Sequence, residues 1–167
     1  MPIPTLDAVF CRVPYPNFKT KFVTKMQSVE DIERSIKSST AASLPYCVNY
    51  AFLFSEKNRL DTCQNIYRFM RKYFTYDEEP DVMQSSKTIN RILYDAGGDC
   101  KHFSTFAYCT LRALNIPCNY RLCQYDGRNT PTHIYVVAYD RDGTEIIIDG
   151  TLSDFNAEIG SKYIYDI

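Results

Sequence analysis

The chain has 167 residues, of which 45% are hydrophobic and 23% are charged, and its formal net charge at pH 7 is −1. A chain of this length can bury one substantial core, so we expect a single domain over residues 1–167. A net charge so close to zero provides no basic surface for a phosphate backbone, which argues against nucleic-acid partners. No apolar stretch is long enough to span a bilayer, so we expect no membrane partner either.

The N-terminal sequence and the cysteine content indicate in which cellular compartment the protein is expected. The opening sequence MPIPTLDAVFCRVPYPNF has no basic segment followed by an apolar run, so we do not expect a signal peptide. The chain has seven cysteines, and an odd number without a leader favours reduced thiols and a cytoplasmic location. No CxxC pair is present and there are only two histidines, so we expect no metal site and no cofactor.

The first half of the chain is predicted to be irregular and then helical. Repeated prolines within residues 1–27 favour an extended N-terminal arm or edge strands. The sequence SVED at residues 28–31 is typical of a capping box, followed by a short amphipathic helix. Residues 45–54 are apolar and fit no single pattern. From Leu60 to Phe74 the apolar residues recur at helical spacing and predict a helix.

The second half changes from helical to alternating patterns. A short helix is predicted within residues 85–94, before the pair Gly97-Gly98. A longer helix is predicted from Cys100 to Leu114, where the sequence Asn-Ile-Pro ends it. Three strands are then predicted, at residues 119–124, 133–139 and 144–149.

The sequence GGDCKHF at residues 97–103 places a cysteine at the first turn of a predicted helix. Unpaired N–H groups and the helix dipole at such a position favour a thiolate, the nucleophilic form of cysteine. The same N–H groups can bind the oxyanion of a tetrahedral intermediate. We expect Asp99 to cap the helix and Cys100 to be a candidate nucleophile. The alternative is a purely structural turn, with Cys100 as a small core residue.

A nucleophilic cysteine needs a base, and the two histidines are the candidates. His102 lies two positions after Cys100, on roughly the opposite face of the helix, so we expect a surface or structural residue. His133 opens a predicted strand, where its imidazole can face a neighbouring helix terminus. The alternative for His133 is a half-buried residue of the sheet. We therefore take His133 as the candidate base.

A third candidate residue follows from the hairpin between the last two predicted strands. A three-residue loop at residues 141–143, with Gly143 in the left-handed conformation, puts Tyr135 opposite Asp149. His133 and Asp149 are then diagonal neighbours on one face, and the carboxylate can orient the imidazole. A four-residue loop would put the two residues on opposite faces.

Residues 60–152 resemble the transglutaminase-like cysteine peptidase superfamily, whose chemistry is papain-like. The resemblance rests on the GDC sequence at residues 98–100 before a helix, the LNIP helix stop at residues 114–117, the strand beginning at His133, and the IIDGT strand end at residues 147–151. These features occur in the order cysteine, histidine, aspartate. They identify residues 60–152 as the expected catalytic core.

The resemblance implies a fold and a set of roles. It implies an α+β fold in which a helix bearing the nucleophilic cysteine packs against an antiparallel β-sheet bearing histidine and aspartate. The catalytic roles of the family fall on Cys100, His133 and Asp149 of this sequence. We assign no side chain to the oxyanion: Gln84 and Asn90 are polar candidates upstream of the cysteine, and we leave the donor to the backbone.

The end of the sequence carries a second resemblance. The stretch IIIDGTLSDFNAEIGSKY at residues 146–163 is similar to small transglutaminase-like proteins encoded by bacteriophages and prophage-like elements. This resemblance implies a viral source, a location in the host cytoplasm or in a virion, and other virion or assembly proteins as partners.

Together these features predict a cysteine hydrolase that cleaves an amide, peptide or isopeptide bond of a protein or peptide substrate through a thioester on Cys100. Acyl transfer to an amine would use the same residues. The alternative from another class is a structural or assembly component of a phage virion with a non-catalytic triad. A cell-wall-cleaving cysteine peptidase is a further alternative, although Lys101-His102 stands where its Asp-Cys-Ser-Gly signature would continue.

Overall fold

The computed structural model describes residues 2–17, 28–80, 84–124, 130–158 and 162–167. The helices of this part of the chain are α1 (Leu6–Phe10), α2 (Val29–Cys47), α3 (Arg59–Tyr73), α4 (Ile89–Asp95) and α5 (Cys100–Ala113), with a 3-10 helix at Ala51–Phe54. The strands are β1 (Thr75–Tyr76), β2 (Gly97–Gly98), β3 (Cys118–Gln124), β4 (His133–Tyr139), β5 (Glu145–Ile148) and β6 (Lys162–Asp166). The fold is α+β, as predicted.

The longer strands of the described residues form an antiparallel sheet in the order β5-β4-β3-β6. Strand β4 is an interior strand, with Val136 opposite Tyr120 of β3 on one side and Ile148 of β5 on the other. Strands β1 and β2 form a separate parallel pair in which Tyr76 lies opposite Gly98. This small pair leads directly into α5, and the interior strand begins at His133.

Helix α5 lies in the core and packs against α2 and β4. Its Phe106 is fully buried, and the ring stacks on Phe69 at 5.3 Å and on Tyr50 at 6.1 Å between centroids. Burial of a phenylalanine side chain contributes about 2–3 kcal/mol, and stacked aromatic pairs add to it. This packing fixes the position of α5 and therefore of Cys100 at its first turn. The helix bearing Cys100 lies against the antiparallel sheet, as predicted.

Several predicted elements have nearly the expected ends. The helices predicted at Leu60–Phe74 and Cys100–Leu114 correspond to α3 and α5, and each end differs by at most one residue. The three predicted strands correspond to β3, β4 and β5 with the same accuracy. The short helix predicted within residues 85–94 is α4, which begins only at Ile89. Differences of one or two residues at element ends are ordinary fraying.

Helix α2 is longer than the short helix that was predicted. It begins at the expected capping box, in which Ser28 Oγ accepts from Asp31 N and the Asp31 carboxylate accepts from Ser28 N. It then continues to Cys47 through small polar residues rather than an apolar stripe. Buried Ser43 donates to Ser39 O at 2.6 Å, so the hydroxyl is satisfied within the helix. Small side chains let α5 approach closely, which a hydrophobic pattern does not reveal.

The two chain ends also differ from expectation. The N-terminal arm at residues 1–27 was predicted to be extended, but residues 6–10 form α1, capped by Thr5 Oγ1, which accepts from Ala8 N at 3.2 Å. Val9 is fully buried, so tertiary packing stabilises this short helix between the prolines. Residues 18–27 of the predicted arm lie outside the described residues. Strand β6 was not predicted, and it pairs with β3.

Among the described residues, no helix combines the length and the apolar character that crossing a bilayer requires.

Candidate active site

The backbone before Cys100 requires glycine at two consecutive positions. Gly97 and Gly98 have φ angles of +144° and +148°. A Cβ atom on Gly97 would lie 2.1 Å from Thr75 O, and one on Gly98 would lie 2.5 Å from His102 Nδ1. Both distances are shorter than non-bonded atoms can approach, so only glycine allows β2 to pair with β1 and still enter α5. This turn places Cys100 at the first position of α5.

Asp99 caps α5, as expected, together with His102. Asp99 Oδ1 accepts from Lys101 N at 3.1 Å, and Asp99 N donates to His102 Nδ1 at 3.1 Å. The His102 ring is 1% exposed, and its Nε2 has no hydrogen-bond partner among the described residues. His102 is therefore a buried structural residue of the cap. It does not lie at the surface, the other expectation for this position.

A buried ammonium group next to the cysteine was not recognised in the sequence. Lys101 Nζ lies 2.9 Å from Glu79 Oε2 and 2.8 Å from Gln84 Oε1, and it also contacts the Asp99 carboxylate. Burial raises the pKa of Asp99, but the hydrogen bond and charge of His102 and then those of Lys101 outweigh it and lower the pKa to about 2. The cluster ties the segment carrying Glu79 to the start of α5.

His133 and Asp149 meet at the open end of the β4–β5 hairpin. His133 Nε2 lies 2.6 Å from Asp149 Oδ2, and both side chains are buried. The second carboxylate oxygen of Asp149 accepts from Thr151 N at 3.0 Å and from Thr151 Oγ1 at 2.7 Å. Together these hydrogen bonds fix the position of the Asp149 carboxylate, which therefore orients the imidazole ring of His133.

The register of the hairpin produces this contact. Asp140 N donates to Thr144 O at 2.9 Å, and Gly143, with φ at +88°, donates to Asp140 O at 3.1 Å. The loop therefore has the three residues that were expected. Val136 pairs with Ile148, which sets the parity that places residues 133 and 149 on one face.

The Cys100 thiol forms a hydrogen bond with the His133 ring. Because Nε2 of that ring is bonded to Asp149, Nδ1 is the nitrogen that can face the sulfur. Cys100 is partly exposed, whereas Cys63 and Cys109 are buried in the core. The structure thus brings Cys100, His133 and Asp149 together in the predicted order, and their catalytic roles remain a prediction.

The ionisation of His133 and Asp149 reflects their pairing. Burial lowers the pKa of His133, but the hydrogen bonds to Asp149 and Cys100, with the charges of both groups, outweigh it and raise the pKa to about 9. Burial raises the pKa of Asp149, but the hydrogen bond and charge of His133, and then Thr151, lower it overall. At neutral pH these shifts favour an imidazolium beside an ionised carboxylate.

Ser104 joins the two halves of the site, and sequence patterns did not reveal it. Its buried Oγ lies 2.8 Å from Cys100 O and 2.9 Å from Ile134 O. One of these carbonyls belongs to the candidate nucleophile, and the other belongs to the residue after His133. A serine one turn into a helix gives no signal of its own in the sequence, because its partner lies 30 residues away.

The two polar residues considered for the oxyanion are engaged elsewhere. Gln84 Nε2 donates to Glu79 O at 3.0 Å and to Pro80 O at 3.2 Å. Asn90 Oδ1 accepts from Thr88 Oγ1 at the start of α4. Both amides therefore support local structure.

No group of three or more histidine, cysteine, aspartate or glutamate side chains within the described residues has an arrangement that could hold a metal ion.

A family model described as the transglutaminase-like superfamily matches residues 48–149, which include Cys100, His133 and Asp149. The chain belongs to the transglutaminase-like superfamily. No curated protein matches the chain significantly.

Solved structures show the same fold at low sequence identity. A candidate protease from Parabacteroides distasonis is 14% identical with a TM-score of 0.58, and the match covers 75% of this chain and 26% of that one. A candidate cysteine protease from Cytophaga hutchinsonii is 19% identical with a TM-score of 0.53, and the match covers 79% of this chain and 49% of that one. Calcium-bound LapG from Legionella pneumophila is 21% identical with a TM-score of 0.57, covering 84% of each chain. The chain thus spans about half or less of the first two proteins.

Proposed function

We propose that the chain is a cysteine hydrolase that cleaves an amide, peptide or isopeptide bond of a protein or peptide substrate. The observation that carries this proposal is the hydrogen-bonded series from Cys100 through His133 to Asp149, with 2.6 Å between the last two. Membership of the transglutaminase-like superfamily and the fold shared with candidate cysteine proteases support it. A nucleophile, a base and an orienting carboxylate in this order are sufficient for acyl transfer through a thioester.

The first half-reaction forms the thioester. The Cys100 thiolate attacks the substrate carbonyl carbon, a C–S bond forms, and the carbonyl π electrons move to oxygen as an oxyanion. When the C=O bond reforms, the C–N bond breaks and the His133 imidazolium gives its Nδ1 proton to the leaving nitrogen. The products are a free amine, a neutral His133 and an acylated Cys100.

The second half-reaction restores the enzyme. His133 Nδ1 takes a proton from water while the water oxygen attacks the thioester carbonyl, and the C–S bond then breaks to release the acid and the thiolate. Asp149 accepts from His133 Nε2 throughout and keeps Nδ1 directed at the sulfur. An amine in place of water gives acyl transfer through the same residues.

The raised pKa of His133 suits the first half-reaction. A pKa of about 9 means that the ring carries its proton at neutral pH, when it must protonate the leaving amine. The thiolate that forms beside it is then balanced by the imidazolium charge.

Alkylation with iodoacetamide, followed by peptide mapping, tests the nucleophile. We expect Cys100, which is only partly exposed, to react faster than the exposed Cys11, because the His133 imidazolium supports its thiolate. His133→Ala should remove this advantage, whereas Cys11→Ser, the matched control, should leave the alkylation rate of Cys100 unchanged. Preferential alkylation of Cys11, or of the buried Cys63 or Cys109, would contradict the proposal.

Hydrolysis is tested by mass spectrometry of the protein mixed with peptides and reducing agent. We expect new carboxyl termini or deamidated side chains that are absent with Cys100→Ser. A transferred amine on the same acyl group would identify acyl transfer as the second half-reaction.

A further inference from the structure

The start of α5 offers one free backbone donor beside the thiol. Asp99 N donates to His102, Lys101 N donates to the Asp99 carboxylate, and His102 N donates to Asp99 O. The Cys100 N–H has no acceptor among the described residues. It is therefore available to an oxyanion formed on the carbonyl that Cys100 attacks. Oxyanion sites usually combine at least two such donors, so a second group is needed.

Tyr76 lies close to the start of α5 and is a candidate for that second group. It is the residue of β1 opposite Gly98, two positions before Cys100. Its ring contacts Phe103 with 6.0 Å between centroids, and Phe103 is three residues after Cys100 on the same face of α5. Phe103 in turn lies against Gly150, since a Cβ there would be 2.6 Å from its Cδ1. The Tyr76 ring thus packs on Phe103, and Phe103 lies against the strand end that follows Asp149.

The Tyr76 hydroxyl is free to contact a substrate. The residue is 46% exposed, and its hydroxyl makes no hydrogen bond within the described part of the chain. Burial of part of the ring raises the pKa of this phenol, and the charges of Cys100 and Asp99 raise it further. The group therefore keeps its proton throughout the range in which the proposed reaction runs, and it can only donate to an oxyanion.

We infer that the Tyr76 hydroxyl is the second hydrogen-bond donor to the oxyanion, acting with the backbone N–H of Cys100. This inference rests on the proposed function, because an oxyanion forms only when Cys100 attacks a carbonyl. It assigns the role to a residue that the sequence did not single out. Gln84, one of the two polar candidates named there, has its amide occupied by Glu79 O and Pro80 O.

The test compares two reactions of the same sulfur in the full chain. Cys100 attacks p-nitrophenyl acetate through a tetrahedral oxyanion: a C–S bond forms, the C–O bond to nitrophenolate breaks, and water later releases acetate. Iodoacetamide alkylates the same sulfur by direct displacement of iodide, and no oxyanion forms. Both rates are measured for the unaltered protein, for Tyr76→Phe and for Tyr94→Phe, a similarly exposed tyrosine on α4. Cys100→Ser supplies the background from other thiols.

We expect Tyr76→Phe to lower the rate of the nitrophenolate burst by about 10²-fold and to leave alkylation unchanged, because loss of one oxyanion donor has that magnitude. Tyr94→Phe should affect neither rate. A burst that persists at the original rate in Tyr76→Phe overturns the inference, and so does an equal fall in both reactions, which would place the effect on the thiol itself. If the unaltered protein gives no burst above Cys100→Ser, the proposed hydrolase fails and the oxyanion role fails with it.

Discussion

His133 and Asp149 are diagonal neighbours across the β4–β5 hairpin, and their side chains meet with 2.6 Å between Nε2 and Oδ2. A hairpin with one more loop residue would turn one of these side chains to the other face of the sheet. The three-residue turn at Arg141-Asp142-Gly143 therefore decides whether the imidazole has a carboxylate partner at all.

The first prediction concerns the charge that Asp149 places beside His133. Asp149→Asn keeps the shape of the side chain but removes the negative charge, so the pKa of His133 should fall from about 9 toward the ordinary value of 6.5. NMR titration of the imidazole carbons measures the pKa of His133 directly, because the chain has only two histidines and their signals are easily resolved. The pH above which hydrolysis declines should fall together with the pKa of His133.

Asp154→Asn is the matched control for that titration, since it removes an exposed carboxylate five residues further along. It should leave the midpoint of His133 in place. A midpoint that does not move in Asp149→Asn would mean that the contact contributes no electrostatic stabilisation of the imidazolium.

The second prediction concerns the buried carboxylate of the helix cap. Asp99→Asn should lower the free energy of unfolding by about 2 kcal/mol at pH 7, because it removes the negative charge whose interactions with His102 and Lys101 lower the pKa of Asp99 to about 2. A carboxylate with a lowered pKa stabilises the fold above its unfolded value of 3.8, and this contribution disappears as the pH falls toward 2. The difference between variant and parent, measured by urea unfolding, should therefore shrink between about pH 4 and pH 2. A difference independent of pH would assign the effect to packing.

The third prediction concerns the glycine before the cap. Gly98→Ala should destabilise the protein by about 1–3 kcal/mol and slow the alkylation of Cys100, because the new Cβ would meet the His102 ring at a φ of +148°. Gly143→Ala is the matched control, since its φ is also positive at +88° but nothing lies within 4 Å of the added carbon. It should lose some stability and keep the reactivity of Cys100. Equal loss of reactivity in both variants would contradict the role of the Gly98 turn.

The fourth prediction concerns the hydroxyl that joins α5 to β4. Ser104→Ala should reduce stability by about 1 kcal/mol and also reduce hydrolysis, because the carbonyls of Cys100 and Ile134 lose their shared partner. Ser43→Ala should reduce stability similarly without changing hydrolysis, since Ser43 links α2 to Ile89 of α4. Thermal unfolding and the rate of thioester formation separate the two effects. Unimpaired hydrolysis in Ser104→Ala would limit that residue to a structural role.

Features that depend on local rules were predictable from the sequence. The helix start at Cys100 follows from the glycine pair and the Asp99 cap, and the face shared by His133 and Asp149 follows from turn length and strand period. The family and the α+β fold were recognised from the same residues. The extent of the domain, the phage source and the virion partners remain predictions.

Features that depend on distant contacts were not predictable. Lys101 is buried only because its ammonium group contacts Glu79 and Gln84, which lie 22 and 17 residues earlier in the chain. Tyr76 belongs to a strand of two residues that exists only through its pairing with β2. Neither contact leaves a period or a spacing in the sequence, because each arises when separate elements pack together.

The division of the site between one hairpin and one helix has a consequence for substitutions. His133 and Asp149 are brought together by a turn that lies between them, so residues 133–149 hold the whole pair within one continuous hairpin. Cys100 comes from a different segment, at the start of α5. A substitution of Cys100 therefore removes the candidate nucleophile and leaves the histidine–aspartate pair well formed. In the proposed mechanism, the cysteine after the glycine turn, and not the pair, would then decide whether such a chain is active.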